Sequence, residues 1–258
     1  MMFALVFGRA WLRAWRLLVL LPLLAGAPLV LWLLCQLFGR LPVATHAFPT
    51  ATYGAFLAPA LAAVAAVPGA LAAGSRLLAD RRTGALERLL ASALRPGGIV
   101  PAETCASASL ALALVPVVLL AGSGTGLRPD DPLLGLAGVV GLGLLLGLCA
   151  AGCSALLAVL TLDLRALRSG TLALALGGVI CSDLLLPASL LPGWVRWSAG
   201  GNPVSIAADE ARRLFAPSPT MPDYLHAVLV LAALACVVNI AAAVLFSRHP
   251  EEVLVRPR

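Results

Sequence analysis

The sequence RLLADRRTGALERLLASALR, residues 76–95, is a charged stretch between two long apolar runs. With 3.6 residues per helical turn, one face of this stretch carries only apolar side chains: Leu86, Leu89, Leu90, Ala93 and Leu94. Glu87 and Arg88 lie on the other face, and Thr83 stands where an N-cap belongs. The pattern predicts a short helix at the membrane surface that offers its charged face to a cytoplasmic partner. A solvated loop helix without a partner is the alternative.

The composition places this stretch in a membrane protein. Of the 258 residues, 61% are hydrophobic and 12% are charged, more apolar surface than a soluble core requires. All 18 basic residues are arginine, so the chain lacks the lysine of a phosphate-binding P-loop. If ATP is used, another polypeptide must bind it. The net charge of +6 and the clustered arginines suit an anionic membrane surface better than nucleic acid, because no basic groove interleaved with aromatic residues is present.

Six apolar runs predict an all-α polytopic membrane protein, folded as a single transmembrane domain over residues 1–258. Most of these runs are close to the length of about 20 residues that a helix needs to cross a bilayer. They cover residues 17–38, 51–73, 104–121, 133–162, 171–186 and 224–246. The fifth run is short and precedes Pro187 and Pro192, which predicts a broken or re-entrant end. The fourth contains Gly143 and Gly147, a small-x-x-x-small pair that favours close packing inside the bundle or at a dimer seam.

The distribution of arginine predicts the orientation. With six spans, one side of the membrane carries thirteen arginines and the other carries Arg40, Arg128, Arg196, Arg212 and Arg213. The positive-inside rule therefore predicts that both termini and the 76–95 stretch are cytoplasmic. Residues 1–16 precede the first run with Arg9, Arg13 and Arg16 on one face and aromatic residues on the other, which predicts an interfacial helix.

A second informative segment, residues 191–222, is predicted to lie at the outer face. Asn202 followed by Pro203 is typical of an N-cap and the first residue of a helix. The spacing predicts an i,i+4 ion pair between Asp209 and Arg213 on a solvated face that also includes Glu210 and Arg212.

Asp183, in the fifth run, is an intramembrane carboxylate. A charge at this depth is costly, so it is expected to face a cavity or a partner. One hypothesis places it on the path of a cationic or amphiphilic substrate. The alternative pairs it with Arg196 or with solvent.

Two separated regions resemble the type 2 ABC export permeases, in particular the drug-resistance permeases of the daunorubicin type. The first is Asp80-Arg81-Arg82-Thr83-Gly84-Ala85-Leu86-Glu87 with the Leu89-Leu90-Ala91-Ser92 that follows. The second is Leu191-Pro192 and Trp194, then Asn202-Pro203, then Glu210 and Arg212. In that family a small residue commonly stands at the position of Asp183.

The resemblance implies the transmembrane subunit of an ATP-driven exporter in a bacterial cell membrane. It implies a homodimer or a pair with a related permease, within membrane lipid, joined to ATP-binding cassette subunits. The chain itself would bind no cofactor, because ATP and Mg²⁺ would sit on the partner. The residues expected to couple the subunits are Asp80, Arg81, Thr83, Gly84, Glu87 and Arg88.

The expected cargo is a hydrophobic or amphiphilic small molecule or a lipid, and its export would make this an efflux or drug-resistance permease. Export of haem or of a lipid-linked polymer is the alternative within the same class. A membrane scaffold or immunity protein without transport is a further alternative. An intramembrane enzyme is disfavoured, because His46, His226 and His249 lie near span ends without catalytic partners.

Overall fold

The computed structural model describes residues 2–39, 52–86, 98–125, 127, 132–161, 163–216 and 221–248. The regular elements in these ranges are helices. The α-helices in chain order are α1 (Met2–Ala14), α2 (Leu17–Phe38), α3 (Tyr53–Val64), α4 (Val67–Arg82), α5 (Ile99–Ala108), α6 (Ala111–Ser123), α7 (Pro132–Thr161), α8 (Leu164–Ile180), α9 (Gly193–Ala199), α10 (Pro203–Arg213) and α11 (Met221–Arg248). A 3₁₀ helix, Ala188–Leu190, lies between α8 and α9.

Within the described ranges, five helical segments are long and apolar enough to cross a membrane, which agrees with the predicted all-α membrane fold. They are Leu21–Phe38, Tyr53–Arg82, Ile99–Ser123, Pro132–Thr161 and Met221–Arg248. The fifth predicted run corresponds to α8, which is 17 residues long, and the chain leaves this helix at Ile180. A sixth span therefore stays a prediction, because about 20 residues are needed to cross the hydrocarbon.

The second span is divided into α3 and α4 by a short turn at Ala65 and Ala66. Pro68 explains the break, because proline has no backbone N–H to continue the helical hydrogen bonds to Val64. The backbone N–H of Ala65 instead donates to the carbonyl of Ala62 at 3.2 Å, a tighter turn than in an α-helix.

The longest helix, α7, lies at the centre of the bundle and packs against α4, α5, α6 and α11. Small residues allow this close packing. A Cβ on Gly147 would lie 3.2 Å from the backbone of Ala108, and one on Gly143 would lie 3.1 Å from Val115. The glycine pair therefore packs inside the bundle, which decides between the two alternatives for this motif. By contrast, α2 and α8 expose most of their apolar side chains.

At one end of the bundle, α4, α5, α7 and α11 meet in a compact apolar cluster. Its buried members are Leu77, Leu86, Ile99, Val100, Ala155, Ala242 and Phe246. We call this region the α4 end. The opposite end, where Leu214 and Phe215 face Gly138 and Gly135 of α7, is called the α10 end.

The N-terminal helix α1 packs along α5 at the α4 end. Val6 and Ala10 are buried, whereas Trp11 and Leu12 are exposed. Trp15 follows the helix, and its indole Nε1 donates to the Ser109 hydroxyl at 3.0 Å. A helix was predicted here from the amphipathic pattern, but its contacts with α5 come from the tertiary structure.

Candidate functional site

The charged stretch begins with the last turn of α4, which continues to Arg82. Thr83 is therefore a C-cap, and its predicted role as an N-cap is wrong. The Thr83 backbone N–H and hydroxyl both donate to the Ala79 carbonyl, at 3.0 and 3.1 Å. Gly84 has φ = 66°, the left-handed conformation that favours glycine just after a helix. This geometry ends one helix before the next begins at Ala85.

Leu86 is fully buried in the apolar cluster at the α4 end, as expected for the anchoring face of the stretch. Glu87, Arg88 and the rest of the stretch up to residue 95 lie outside the described residues. Their predicted contact with an ATP-binding subunit stays a prediction.

Asp80 is bound by two arginines of α1. Its Oδ1 atom accepts hydrogen bonds from Arg13 at 2.6 Å and from Arg9 at 3.1 Å. The two arginine side chains are about one-third exposed, and that of Asp80 is 14% exposed. Arg9 and Arg13 are one helical turn apart, so one face of α1 provides both cations. These ion pairs attach the N-terminal helix to the end of the second span.

A second ionic contact lies further into the bundle on α4. Arg76 donates from Nε to the Glu103 carboxylate and from Nη2 to the Ser107 hydroxyl. The Glu103 side chain is only 7% exposed. Sequence reasoning missed Glu103. A single acidic residue at the edge of an apolar run was the signal that could have found it.

At the α10 end, Asn202 caps two helices. Its Oδ1 accepts from the backbone N–H of Val204 at 2.9 Å, which confirms the predicted N-cap, and Pro203 is the first residue of α10. Its Nδ2 donates to the carbonyls of Gly178 and Cys181 at 2.8 and 3.1 Å. One side chain thereby fixes the start of α10 against the end of α8.

Arg212 forms the centre of a buried polar cluster next to this cap. Its Nη1 donates to Asp209 at 2.8 Å and to Asp183 at 3.3 Å. Nη2 donates to the carbonyls of Asp183 and Leu184, both at 2.9 Å, and Nε donates to the Phe56 carbonyl at 3.3 Å. The guanidinium also lies 3.9 Å from the centre of the Phe56 ring.

This cluster corrects three expectations. Asp183 pairs with Arg212 and not with Arg196, whose guanidinium donates to the carbonyls of Ala188, Ser189 and Leu191. Asp209 pairs with Arg212 at i+3, because helical rotation brings that guanidinium rather than the predicted Arg213 beside it. The charged face of α10, which was predicted to be solvated, is only partly exposed, because α10 packs on α3 and buries Arg212 and Glu210.

Two carboxylic acids of α10 have raised pKa values. Half of the Asp209 side chain is exposed, yet its carboxyl faces Asp183. Loss of surrounding water and the nearby Asp183 carboxylate raise the pKa of Asp209 to about 7, and Arg212 offsets part of this effect. Burial also raises the pKa of Glu210, against the opposing charge of Arg213.

An apolar cavity of about 360 Å³ lies next to the Asn202 cap. Helices α4, α7, α8 and α11 and the start of α10 form its walls, with residues such as Leu71, Leu146, Cys149, Leu174 and Leu234. The polar atoms of Asn202 are already engaged in capping, so the cavity suits an apolar group. Asp183 is not among the residues that line it.

The helices define a multi-pass membrane protein with ion-paired contacts at both ends of its bundle. Comparison with known families assigns the class: the profile of the family described as ABC-2 type transporter matches residues 2–216. The chain belongs to this family and is the transmembrane subunit of an ABC transporter. Family membership implies pairing with an ATP-binding cassette subunit. A search of curated proteins found no match.

Proposed function

We propose that the chain is the permease of an ATP-driven exporter, in which α1 and the end of α4 together receive movement from a separate ATP-binding subunit. The observation that carries this proposal is the attachment of Asp80 to Arg9 and Arg13. Residues 80–84 belong to the stretch that resembles the export permeases, and the ion pairs make α1 and this stretch one unit.

The strength of this unit comes from several weak contacts. An exposed ion pair contributes only about 0.2–1 kcal/mol, but a carboxylate shared by two arginines is more tightly held. The burial of Leu86, Val6 and Ala10 adds apolar packing at the same end of the bundle. Force applied to either α1 or the α4 end is therefore passed to both α4 and α5, and through them to α7.

The cargo proposed for the exporter is a hydrophobic or amphiphilic small molecule or a lipid. The apolar cavity of about 360 Å³ supports this class, because its walls offer packing and almost no polar partners. Asp183 is proposed as a part of the substrate path only after a rearrangement that releases it, since its carboxylate is bound to Arg212.

The same proposal includes a second permease copy, or a related permease, in the membrane of a bacterial cell. The exposed apolar side chains of α8 support lipid or permease contacts there. The arginine distribution supports a cytoplasmic location for both termini and for the α4 end. Trp194 and Trp197, which are 64% and 86% exposed, support a membrane–water boundary at the α10 end.

The test uses proteoliposomes that contain the permease together with its ATP-binding subunit. ATP hydrolysis and ATP-dependent movement of fluorescent amphiphiles are measured for the wild type and for Asp80→Asn, each normalised to permease content. We expect Asp80→Asn to lower transport several-fold while ATP-binding subunit still co-purifies with it. Asn keeps the shape of the side chain and removes the charge that holds both arginines.

The matched control is Asp223→Asn, because Asp223 forms a half-exposed ion pair with Arg213 at the α10 end, at 3.3 Å. This variant should transport like the wild type. Equal transport by Asp80→Asn and the wild type would contradict the coupling role. Absence of ATP-dependent movement of any amphiphile by the wild type would contradict the exporter itself.

A further inference from the structure

The Arg212 cluster contains more negative than positive charge. Asp183 and Asp209 both accept hydrogen bonds from the same Arg212 nitrogen, Nη1, which brings the two carboxylates together around one cation. The remaining donors of Arg212 go to backbone carbonyls. With both carboxylates ionised, the cluster would hold one uncompensated negative charge.

One oxygen of this cluster has no hydrogen-bond partner among the described residues. The Asp183 side chain is 6% exposed, and its Oδ1 atom is buried without a hydrogen bond in the part of the chain that the structure describes. An unsatisfied buried acceptor destabilises a fold, because its hydration is lost without a hydrogen bond to replace it. The Asp209 carboxyl lies within hydrogen-bonding reach of Asp183 and could act as the missing donor if it carried a proton.

The neighbouring titratable groups do not supply this donor. Tyr53 of α3, beside Cys35 of α2, donates its hydroxyl to the Leu185 carbonyl. Arg213 binds Glu210 and Asp223, and Arg196 binds carbonyls. On the adjacent elements, Cys149, Cys153 and Cys181 line the apolar cavity. Tyr224 and His226 lie in the first two turns of α11, and Arg165 and Arg168 lie in the first two turns of α8. Across the described ranges, Arg212 is the one cation within ion-pair distance of Asp183.

We propose that Asp183 and Asp209 form a proton-binding site that holds one proton between the two carboxyl groups. In the protonated state Asp209 donates to Asp183, Arg212 neutralises the remaining charge, and α10 is held against the segment of residues 181–187 that follows α8. Loss of the proton leaves two carboxylates around one arginine, and their repulsion weakens this contact. The site makes the attachment of α10 dependent on pH near neutrality, whatever the cargo is.

The experiment is a difference-infrared pH titration of the full chain in lipid nanodiscs, which detects the carbonyl stretch of a protonated carboxylic acid. The wild type should show this band at pH 6 and lose it on titration to about pH 8, because the pKa of Asp209 is raised to about 7. Asp209→Asn should abolish the titrating band, and Asp183→Asn should move its midpoint to lower pH by removing the adjacent negative charge.

Two controls identify the group that titrates. Asp223→Asn removes an exposed carboxylate at the same end, and Glu210→Gln removes the other buried acid of α10; both should keep the band. A wild type without any titrating band in this range overturns the proposal. So does a band that survives Asp209→Asn, or one that disappears in Glu210→Gln. The wild-type titration tests the proton-binding site without any substitution, so the test stands even if a variant fails to fold.

Discussion

Arg76 of α4 donates a hydrogen bond from Nε to the carboxylate of Glu103 of α5, and this ion pair is almost completely buried at the α4 end of the bundle. It lies one helical turn from Asp80, whose carboxylate binds α1. The second span is thus attached by charge to two different helices. Buried pairs of this kind are costly to break, because removal of one partner leaves the other charge without compensation.

The first prediction concerns this pair. Arg76→Leu should lower the free energy of unfolding by about 3–5 kcal/mol, because Glu103 is left buried and unpaired. The double variant Arg76→Leu with Glu103→Leu should recover most of this loss. Thermal unfolding of the purified chain in detergent measures both effects, with Arg82→Leu, an exposed arginine, as the control. A double variant as unstable as Arg76→Leu alone would contradict the expectation.

The second prediction concerns close packing between α4 and α7. A Cβ on Gly74 would lie 2.2 Å from the backbone oxygen of Ser154, so Gly74→Ala should force the two helices apart and destabilise by about 1–3 kcal/mol. Gly177 of α8 has no atom within 4 Å of the same position, and Gly177→Ala should be neutral or slightly stabilising. Unfolding temperatures of the two variants test the difference. Equal values would mean that the helices separate without cost.

The third prediction concerns orientation in the membrane. Ser169 is exposed near the start of α8 and Ser189 is exposed in the 3₁₀ helix after it. In a background without the six native cysteines, an impermeant maleimide added to intact cells should label Ser189→Cys. It should label Ser169→Cys only after the cells are permeabilised. The reverse pattern would show that the arginine count gives the wrong orientation.

The fourth prediction concerns pH. The pKa of Asp209 rises from 3.8 to about 7 in the folded chain, so the folded state holds this proton more tightly than the unfolded state. Its contribution to stability is present below the lower value and is lost as pH rises through the higher one. Between about pH 5 and pH 8, the free energy of unfolding of the wild type should fall by about 1 kcal/mol relative to that of Asp209→Asn. This value is reduced because solvent screens the half-exposed side chain of Asp209.

Thermal unfolding at several pH values in this interval measures the effect. Asp223→Asn serves as the reference, because it removes an acidic group that lies outside the Arg212 cluster. Its stability should follow the wild type across the interval. A constant difference between the wild type and Asp209→Asn at every pH would mean that Asp209 stays ionised throughout.

The membrane class, most of the spans and the family could be predicted from local patterns. The bounds of α2 match its apolar run, because length and hydrophobicity alone determine whether a segment enters the bilayer. The Asn202 cap was predictable because its hydrogen bond to Val204 spans two residues. The motif around Asp80 and Gly84 carried the resemblance before any contact was known.

The partners of the charged residues were decided by the tertiary structure. Asp80 and Arg9 are 71 residues apart in sequence, and Asp183 and Arg212 are 29 residues apart. The members of each pair lie on different helices or segments, so the spacing of residues along one helix could not predict the pair. The C-cap at Thr83 was not predicted, because a threonine followed by a glycine is compatible with either end of a helix. The left-handed φ of Gly84, which identifies the end of α4, is known only from the structure. Sequence determines which segments leave water, whereas the directions in which the helices pack determine which charged side chains meet.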